Sequence, residues 1–269
     1  IQAQFHLLLR TVPQGGLVFA PSDDEGVNYV LHQGCWTPIA RVGNKAPRKP
    51  VDHDNGDLWS ATQSTTGPGK FEVLLNDVSQ GMIEWSLKGA HNRNNAINAI
   101  AAARHAGVPT DVSIDALNSF SGVKRRMEII FEDTHTVIYD DFAHHPTAIR
   151  TTLQGLRDNA SSDEIIAIIE PRTHTMSLGT LQADLTTCCA AADRVIWFRG
   201  RNIKWDLQQV AADCVVAAKV EDNSDQLIEN MLQLPNLEGG RKRHLVIMSN
   251  GAFDSIYSKI VTSFTARSQ

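Results

Sequence analysis

Asp140-Asp141-Phe142-Ala143-His144-His145-Pro146 places two carboxylates and two imidazoles within seven residues. Such a set suits two kinds of chemistry. Two adjacent histidines beside two aspartates can ligate a divalent metal. Pro146 fits the first turn of a helix, where its missing N–H costs nothing, and that helix start would aim N–H groups at an anion. Taken one at a time, these residues are better read as structural, His145 capping the helix and Asp140 turning the chain. Three further polar stretches accompany this one: Glu170-Pro171-Arg172-Thr173-His174-Thr175, Arg199-Gly200-Arg201-Asn202 and Ser249-Asn250-Gly251. Arg172 has the fork that grips a carboxylate or phosphate, although a lone loop arginine is more often just solvated.

Each of these stretches follows a short apolar run, and this sets where they belong in space. From residue 122 onward, 127–132 and 136–139 read as a hairpin. A helix with Ile149, Leu153 and Leu156 on one face follows, then a strand over 165–169. Next come a helix with Leu178, Leu181, Leu185 and Cys188, a strand over 195–198, and two helices over 206–217 and 225–234. A strand over 245–248 and a helix with Phe253, Ile256, Ile260 and Phe264 end the chain. Apolar strands alternating with amphipathic helices predict a parallel sheet covered on both faces, a doubly wound α/β domain over 122–269. In such sheets ligands sit outside the carboxyl ends of the strands, so the four polar stretches are expected to share one site.

Residues 1–121 follow a different rhythm. A helical pattern occupies 1–10 and a strand 16–20. Strands over 71–75 and 82–87 are expected to flank a six-residue connection, 76–81, with irregular surface structure over 43–69. An Ala-rich helix over 92–106 closes at Gly107, and a short helix is expected from Asp111 to Phe120. The chain opens abruptly, already helical and without an initiator Met, so a longer protein is expected.

The 269 residues are 42% hydrophobic with a net charge of −5, which argues against a nucleic-acid-binding face. Arg241–Arg243 reads as a solvated turn. No apolar run nears the ~20 residues that cross a bilayer, and no basic-then-apolar leader is read. The cysteines, Cys35, Cys188, Cys189 and Cys214, form no C-x-x-C pair and read as buried thiols of a reducing cytoplasm.

Gly89-Ala90-His91-Asn92-Arg93-Asn94-Asn95, ahead of the Ala-rich helix, resembles the G-x-H-N-x-x-N element of the Mur ligases. Alone it would read as an asparagine cap on an ordinary helix. Arg125-Arg126-Met127-Glu128 and then 140–146 follow in the family's order. The resemblance covers the whole chain: 1–121 as the latter part of the family's central ATP-binding domain, 122–269 as its complete carboxyl-terminal domain. Within the family, the pattern at 140–146 is shared by two branches, one adding L-alanine to UDP-N-acetylmuramate and one adding a preformed murein tripeptide in peptidoglycan recycling. The stretches 170–176 and 248–253, Gly34-Cys35-Trp36 and the opening through Pro13 look like the second branch.

The resemblance implies an ATP- and Mg²⁺-dependent amide ligase that forms an acyl phosphate, attacked by the incoming amine. Its partners would be UDP-N-acetylmuramate and L-alanyl-γ-D-glutamyl-meso-diaminopimelate, with no nucleic acid or membrane. By the same resemblance, Asn92 and Asn95 would contact adenine with His91 beside them, and Arg126 and Asp141 would reach the phosphates and ribose. His144 would lie near the reacting phosphate. Arg172, His174, Ser249, Asn250 and Gly251 would face the incoming peptide. One departure matters: no G-x-x-x-x-G-K-[ST] phosphate loop occurs in these residues, and the family's Mg²⁺-holding Glu and His are expected upstream. A metal-dependent phosphoesterase built on Asp140, Asp141, His144 and His145, and a non-catalytic nucleotide-binding module, remain as alternatives. The isolated 269-residue chain is predicted neither to hydrolyse ATP nor to form an amide bond, and ATP turnover by the pure chain would contradict this.

Overall fold

A computed structural model describes residues 1–43, 52–63, 69–85, 87, 89–171, 181–200, 203, 205–251 and 253–268. The chain divides into two units, Ile1–Ser121 and Gly122–Gln269.

In the first unit a five-stranded sheet runs in the order β1-β2-β3-β4-β5. Its strands are β1 (Val18–Pro21), β2 (Ile39–Val42), β3 (Asp54–Gln63), β4 (Lys70–Leu75) and β5 (Val78–Glu84). Helices α1 (Gln2–Leu9) and α2 (Glu25–His32) precede β2, and α3 (Ala90–His105) and α4 (Thr110–Asn118) follow β5. Ile97, Ile100 and Ala101 of α3 pack with Trp59, Phe71, Val73 and Ile83 of the sheet.

Two expectations are corrected here. The hairpin connection is not six residues but the two-residue turn Asn76-Asp77, with φ of +51° and +62°. Two successive left-handed residues match the strand twist, so Val78–Gln80 continue the ladder. The stretch over 43–69 is not wholly irregular, because β3 crosses it and buries Trp59 between β2 and β4. Pairing on both sides satisfies a backbone that the local Gly and Asp content disfavours as strand. Residues 44–51 and 64–68 lie outside the described residues.

In the second unit six strands follow the order β10-β9-β8-β11-β7-β6. They are β6 (Glu128–Glu132), β7 (Thr136–Asp141), β8 (Glu164–Ile169), β9 (Arg194–Phe198), β10 (Ala217–Glu221) and β11 (Arg243–Met248). Only β6 runs antiparallel. Between them lie α5 (Pro146–Arg157), α6 (Gln182–Cys188), α7 (Leu207–Ala212) and α8 (Ser224–Leu232), and α9 (Ile256–Ser268) ends the chain. Ile165, Ala167 and Ile169 point to one face with Val195 and Trp197, where Ile149, Leu153 and Leu156 of α5 pack with α6 and α7. Ile166 and Ile168 point to the other, against Leu227 and Ile228 of α8 and Ile256, Ile260 and Phe264 of α9. Burial on both faces is why these strands are continuously apolar, and each fully buried Ile or Leu contributes about 1.5–3 kcal/mol. The unit is doubly wound.

The chain leaves neighbouring β8 and β11 toward opposite faces, α6 on one and α9 on the other. A crevice must therefore open at their carboxyl ends. The helix expected over 206–217 is corrected: α7 stops at Ala212, and Ala217–Glu221 form the edge strand β10. Ala, Lys and Glu favour helix locally, but pairing with β9 completes the sheet edge. Leu178, expected on a helix face, lies outside the described residues.

At the amino ends of these strands a buried polar chain closes the core. The Nδ1 of His244 lies 3.0 Å from the Tyr139 hydroxyl, and its Nε2 lies 3.0 Å from Asp163. A neutral ring protonated at Nε2 satisfies both, donating to Asp163 and accepting from Tyr139. Burial pushes the Tyr139 phenol up to about 12. Burial also opposes ionisation of Asp163, but hydrogen bonds from His244 and the Lys242 N–H outweigh it and hold this carboxyl below its ordinary value. A depressed carboxyl stabilises the fold above its unfolded pKa of about 3.9, and that stability is lost as pH falls through the folded value. Asp163→Asn should thus weaken the chain at neutral pH and flatten the acid limb of its stability curve. Urea unfolding from pH 7 to pH 3 measures this, and an unchanged acid slope would contradict it.

Candidate functional site

Asp140 and Asp141 are the last residues of β7 rather than part of the loop that follows it. Their side chains leave the sheet on opposite faces, and each is buried. Asp141, 3% exposed, accepts from the Ala143 N–H with Oδ1 and from the Met127 N–H with Oδ2, both at 2.8 Å. It ties the segment ahead of β6 to the end of β7. Burial raises its pKa despite these two bonds and the nearby Arg126. Burial likewise raises Asp140, against the opposing effect of Arg125.

Arg125 is the hub. Its Nε donates to Asp140 at 3.1 Å, and its Nη2 donates to the Ser249 carbonyl at 2.7 Å, the Gly251 carbonyl at 3.2 Å and the Tyr257 hydroxyl at 3.0 Å. Asp140 and the Tyr257 hydroxyl thus share the one guanidinium. Arg125 and Met127 have φ of +60° and +52°, a conformation disfavoured for residues with a Cβ.

Phe142 collects three functional groups. The guanidinium carbons of Arg125 and Arg126 lie 5.3 and 5.4 Å from its ring centre. The His144 ring meets it edge-on at 5.4 Å. Nδ1 of His144 lies 2.8 Å from the Phe142 carbonyl, which can only accept, so Nδ1 holds a proton and the neutral ring keeps a lone pair on Nε2. His145 is the N-cap of α5, its Nδ1 accepting from Thr147 at 3.4 Å, with Pro146 next in the helix. Arg126 is exposed.

The exits of β8 and β11 meet beside this cluster. Glu170, 6% exposed, accepts from the Ser249 hydroxyl at 2.6 Å, and that hydroxyl accepts from the Gly251 N–H at 3.0 Å. Gly200 leaves room for Glu170, since a Cβ there would come within 3.1 Å of its Oε1. The Asn250 side-chain oxygen is buried without a hydrogen-bond partner among the described residues.

The structure therefore gathers Arg126, Asp141, His144, Ser249, Asn250 and Gly251 at the carboxyl end of the second sheet. Arg172 and His174 lie outside the described residues, as do Arg201 and Asn202. In the first unit, His91, Asn92 and Asn95 sit in the first turns of α3 at spacings that share one helix face. Gly89, with φ of +97°, caps α3 instead of the asparagine. Asn95 is exposed, and His91 and Asn92 are partly buried. Sequence reasoning assigned no role to Arg125, Glu170 or Tyr257. The Arg125-Arg126 pair and the position of Glu170 at a strand end were signals, whereas Tyr257 in the first turn of α9 gave none. Among the described residues no three His, Cys, Asp or Glu side chains converge as a metal site would.

Residues 125–250 match the family described as Mur ligase, glutamate ligase domain. Over its full length the chain is 36% identical to the UDP-N-acetylmuramate–L-alanyl-γ-D-glutamyl-meso-2,6-diaminoheptandioate ligase of Escherichia coli K12, covering 56% of that protein. It is 28% identical over 198 residues to the UDP-N-acetylmuramate–L-alanine ligase of Mycolicibacterium smegmatis, covering 72% of this chain and 40% of that one. A crystal structure of a murein peptide ligase from Psychrobacter arcticus 273-4 superposes with a TM-score of 0.71 at 33% identity, over 97% of this chain and 54% of that one. The chain thus spans about half the length of the curated relatives it matches.

The two buried carboxyls give this end of the sheet a pH signature opposite to that of Asp163. A carboxyl whose folded pKa is raised stabilises the fold fully below its unfolded value, and that contribution is lost as pH rises through the folded value. Asp141→Asn keeps one acceptor oxygen and removes the charge. Its stability should decline less steeply than that of the wild type as pH rises from about 4 through the raised range, Asp140 keeping its own share and the unfolded reference being about 3.9. Denaturant titrations of wild type and variant across pH 4–7 read this directly; parallel curves would refute it.

Proposed function

We propose that this chain, whose residues 125–250 match the Mur ligase family, is part of the ATP-dependent ligase that joins L-alanyl-γ-D-glutamyl-meso-diaminopimelate to UDP-N-acetylmuramate. The observation that supports this reading is identity to the tripeptide ligase along the whole chain, against a shorter and weaker match to the L-alanine ligase. The reaction belongs to peptidoglycan recycling in the cytoplasm. Residues 1–121 are read as the latter part of the ATP-binding domain and 122–269 as the carboxyl-terminal domain.

ATP, when bound, supplies the phosphoryl group that activates a carboxylate for attack by an amine. The residues around Phe142 suit such a ligand. Arg126 is an exposed guanidinium with no ion-pair partner among the described residues, stacked on Phe142 so that its charge is held where an anion can reach it. His144 offers a lone pair at Nε2 when neutral and a second donor when protonated, the groups needed to hold a proton or a phosphate oxygen. Asp141, buried with each oxygen accepting a backbone N–H, fixes the segment that bears Arg126. His91, Asn92 and Asn95 are proposed to bind the adenine. The described residues do not make up a Mg²⁺ site, so no step is assigned to the metal here. The same commitments of Asp140 and Asp141 weaken the metal-dependent phosphoesterase alternative.

Arg172 and His174 are assigned to the incoming peptide on resemblance alone, together with the 249–251 turn. A ligase that takes a tripeptide must hold a long, multiply anionic chain, whereas one that takes alanine needs only a small pocket. The intact protein should use the tripeptide in preference to free L-alanine, and Arg172→Ala should raise the peptide KM far more than the ATP KM. Steady-state kinetics with both amines decides the matter. Efficient use of free alanine, or an Arg172 effect confined to ATP, would assign the chain to the alanine-adding branch.

A further inference from the structure

The turn that leaves β11 is built against its own backbone preference. Phe253, Asp254 and Ser255 have φ of +41°, +49° and +58°, three successive residues in the left-handed region without a glycine among them. Each is disfavoured by the contact of its Cβ with the backbone, so the surroundings must impose the conformation. Three contacts do so. The buried Phe253 ring packs on Phe198 at 4.6 Å. The Ser224 hydroxyl donates to Asp254 at 2.6 Å. Arg125 draws in the Ser249 and Gly251 carbonyls. The first two contacts hold residues 253–255, while the segment that carries Asn250 is held by Arg125 on the Ser249 and Gly251 carbonyls, by Glu170 on the Ser249 hydroxyl and by the Asp141 carbonyl on the Ser249 N–H.

One group in this framework is left open. The Asn250 side-chain oxygen is buried with no donor among the described residues, and a buried acceptor without a donor is costly enough that native structures rarely keep one. Phosphates and carboxylates cannot satisfy it, because they offer no hydrogen; amine and peptide N–H groups can.

We propose that Arg125 is a positioning residue that holds the Ser249–Gly251 segment so that Asn250 accepts an N–H of the incoming peptide. The inference rests on the ligase reading above, and it adds a device that selects the amine-bearing substrate. Asp140 and Tyr257 belong to the same device, since they orient the guanidinium that grips the turn.

Two measurements test it. In the 269-residue chain, Arg125→Lys keeps the charge but loses the fork. Amide hydrogen exchange of residues 249–251 should accelerate at least about tenfold, with β8 and β11 unchanged. In the intact ligase, Arg125→Lys and Asn250→Leu should each raise the tripeptide KM at least about tenfold and leave the ATP KM within about twofold. Tyr257→Phe removes one hydroxyl only and should shift both readouts the same way by less, so the test stands even if Arg125→Lys folds poorly. Unchanged exchange in the turn, or a loosened turn with an unchanged tripeptide KM, would overturn the proposal. Wild-type protein that cannot ligate the tripeptide at all would instead overturn the functional reading, while the exchange result still judges whether Arg125 holds the turn.

Discussion

Two aspartates side by side at the end of a central strand cannot both face water. Strand alternation sends Asp140 and Asp141 to opposite faces of the sheet, and both are buried. A buried carboxylate is tolerable only when it is hydrogen-bonded or paired. Backbone N–H groups of Met127 and Ala143 answer Asp141, and Arg125 answers Asp140. Those answers fix everything near them. Met127 and Arg125 are pulled into left-handed conformations, Arg126 is set out over Phe142, and the guanidinium of Arg125 becomes available to the turn after β11.

The two ends of the second sheet are built on different terms. At the amino ends, Tyr139, His244 and Asp163 form a hydrogen-bonded chain in which each polar group has a partner. A satisfied buried network of this kind rigidifies and specifies the core. At the carboxyl ends, five non-glycine residues with positive φ, an exposed arginine and an Asn250 oxygen with no partner among the described residues accumulate within one region. Strain and open hydrogen-bonding capacity gather where chain direction reverses between β8 and β11, because that is where loops diverge and core packing no longer dictates geometry. Stability is thus concentrated at one end and binding capacity at the other.

Much of this was legible in the residues. Apolar periodicity located the parallel strands and the helices between them, since burial on one or both faces leaves a repeat of two or 3.6 that survives in sequence. The clustering of 140–146 and 249–251 followed from a rule of topology, that exit loops of a doubly wound sheet share one edge. Where local propensity opposed the sheet, reading failed: β3 crosses a stretch rich in turn formers, and β10 is an Ala-Lys-Val edge strand that reads as helix. In both cases the pairing partner supplied hydrogen bonds that no local signal encodes.

By itself the sequence determined the fold class, the sheet edge that carries the polar loops, and the residue types available there. It did so because periodic burial and strand-exit rules act over a few residues at a time. What only tertiary structure decided is the division of labour among those residues. Arg125 and Arg126 are adjacent and chemically identical, yet one is spent on Asp140 and the β11 turn while the other stays open. Tyr257 joins Arg125 across a separation of 132 residues. No spacing rule spans that distance; the partners are chosen by which loops the sheet order brings together, and by the need of each buried charge to find a counterpart.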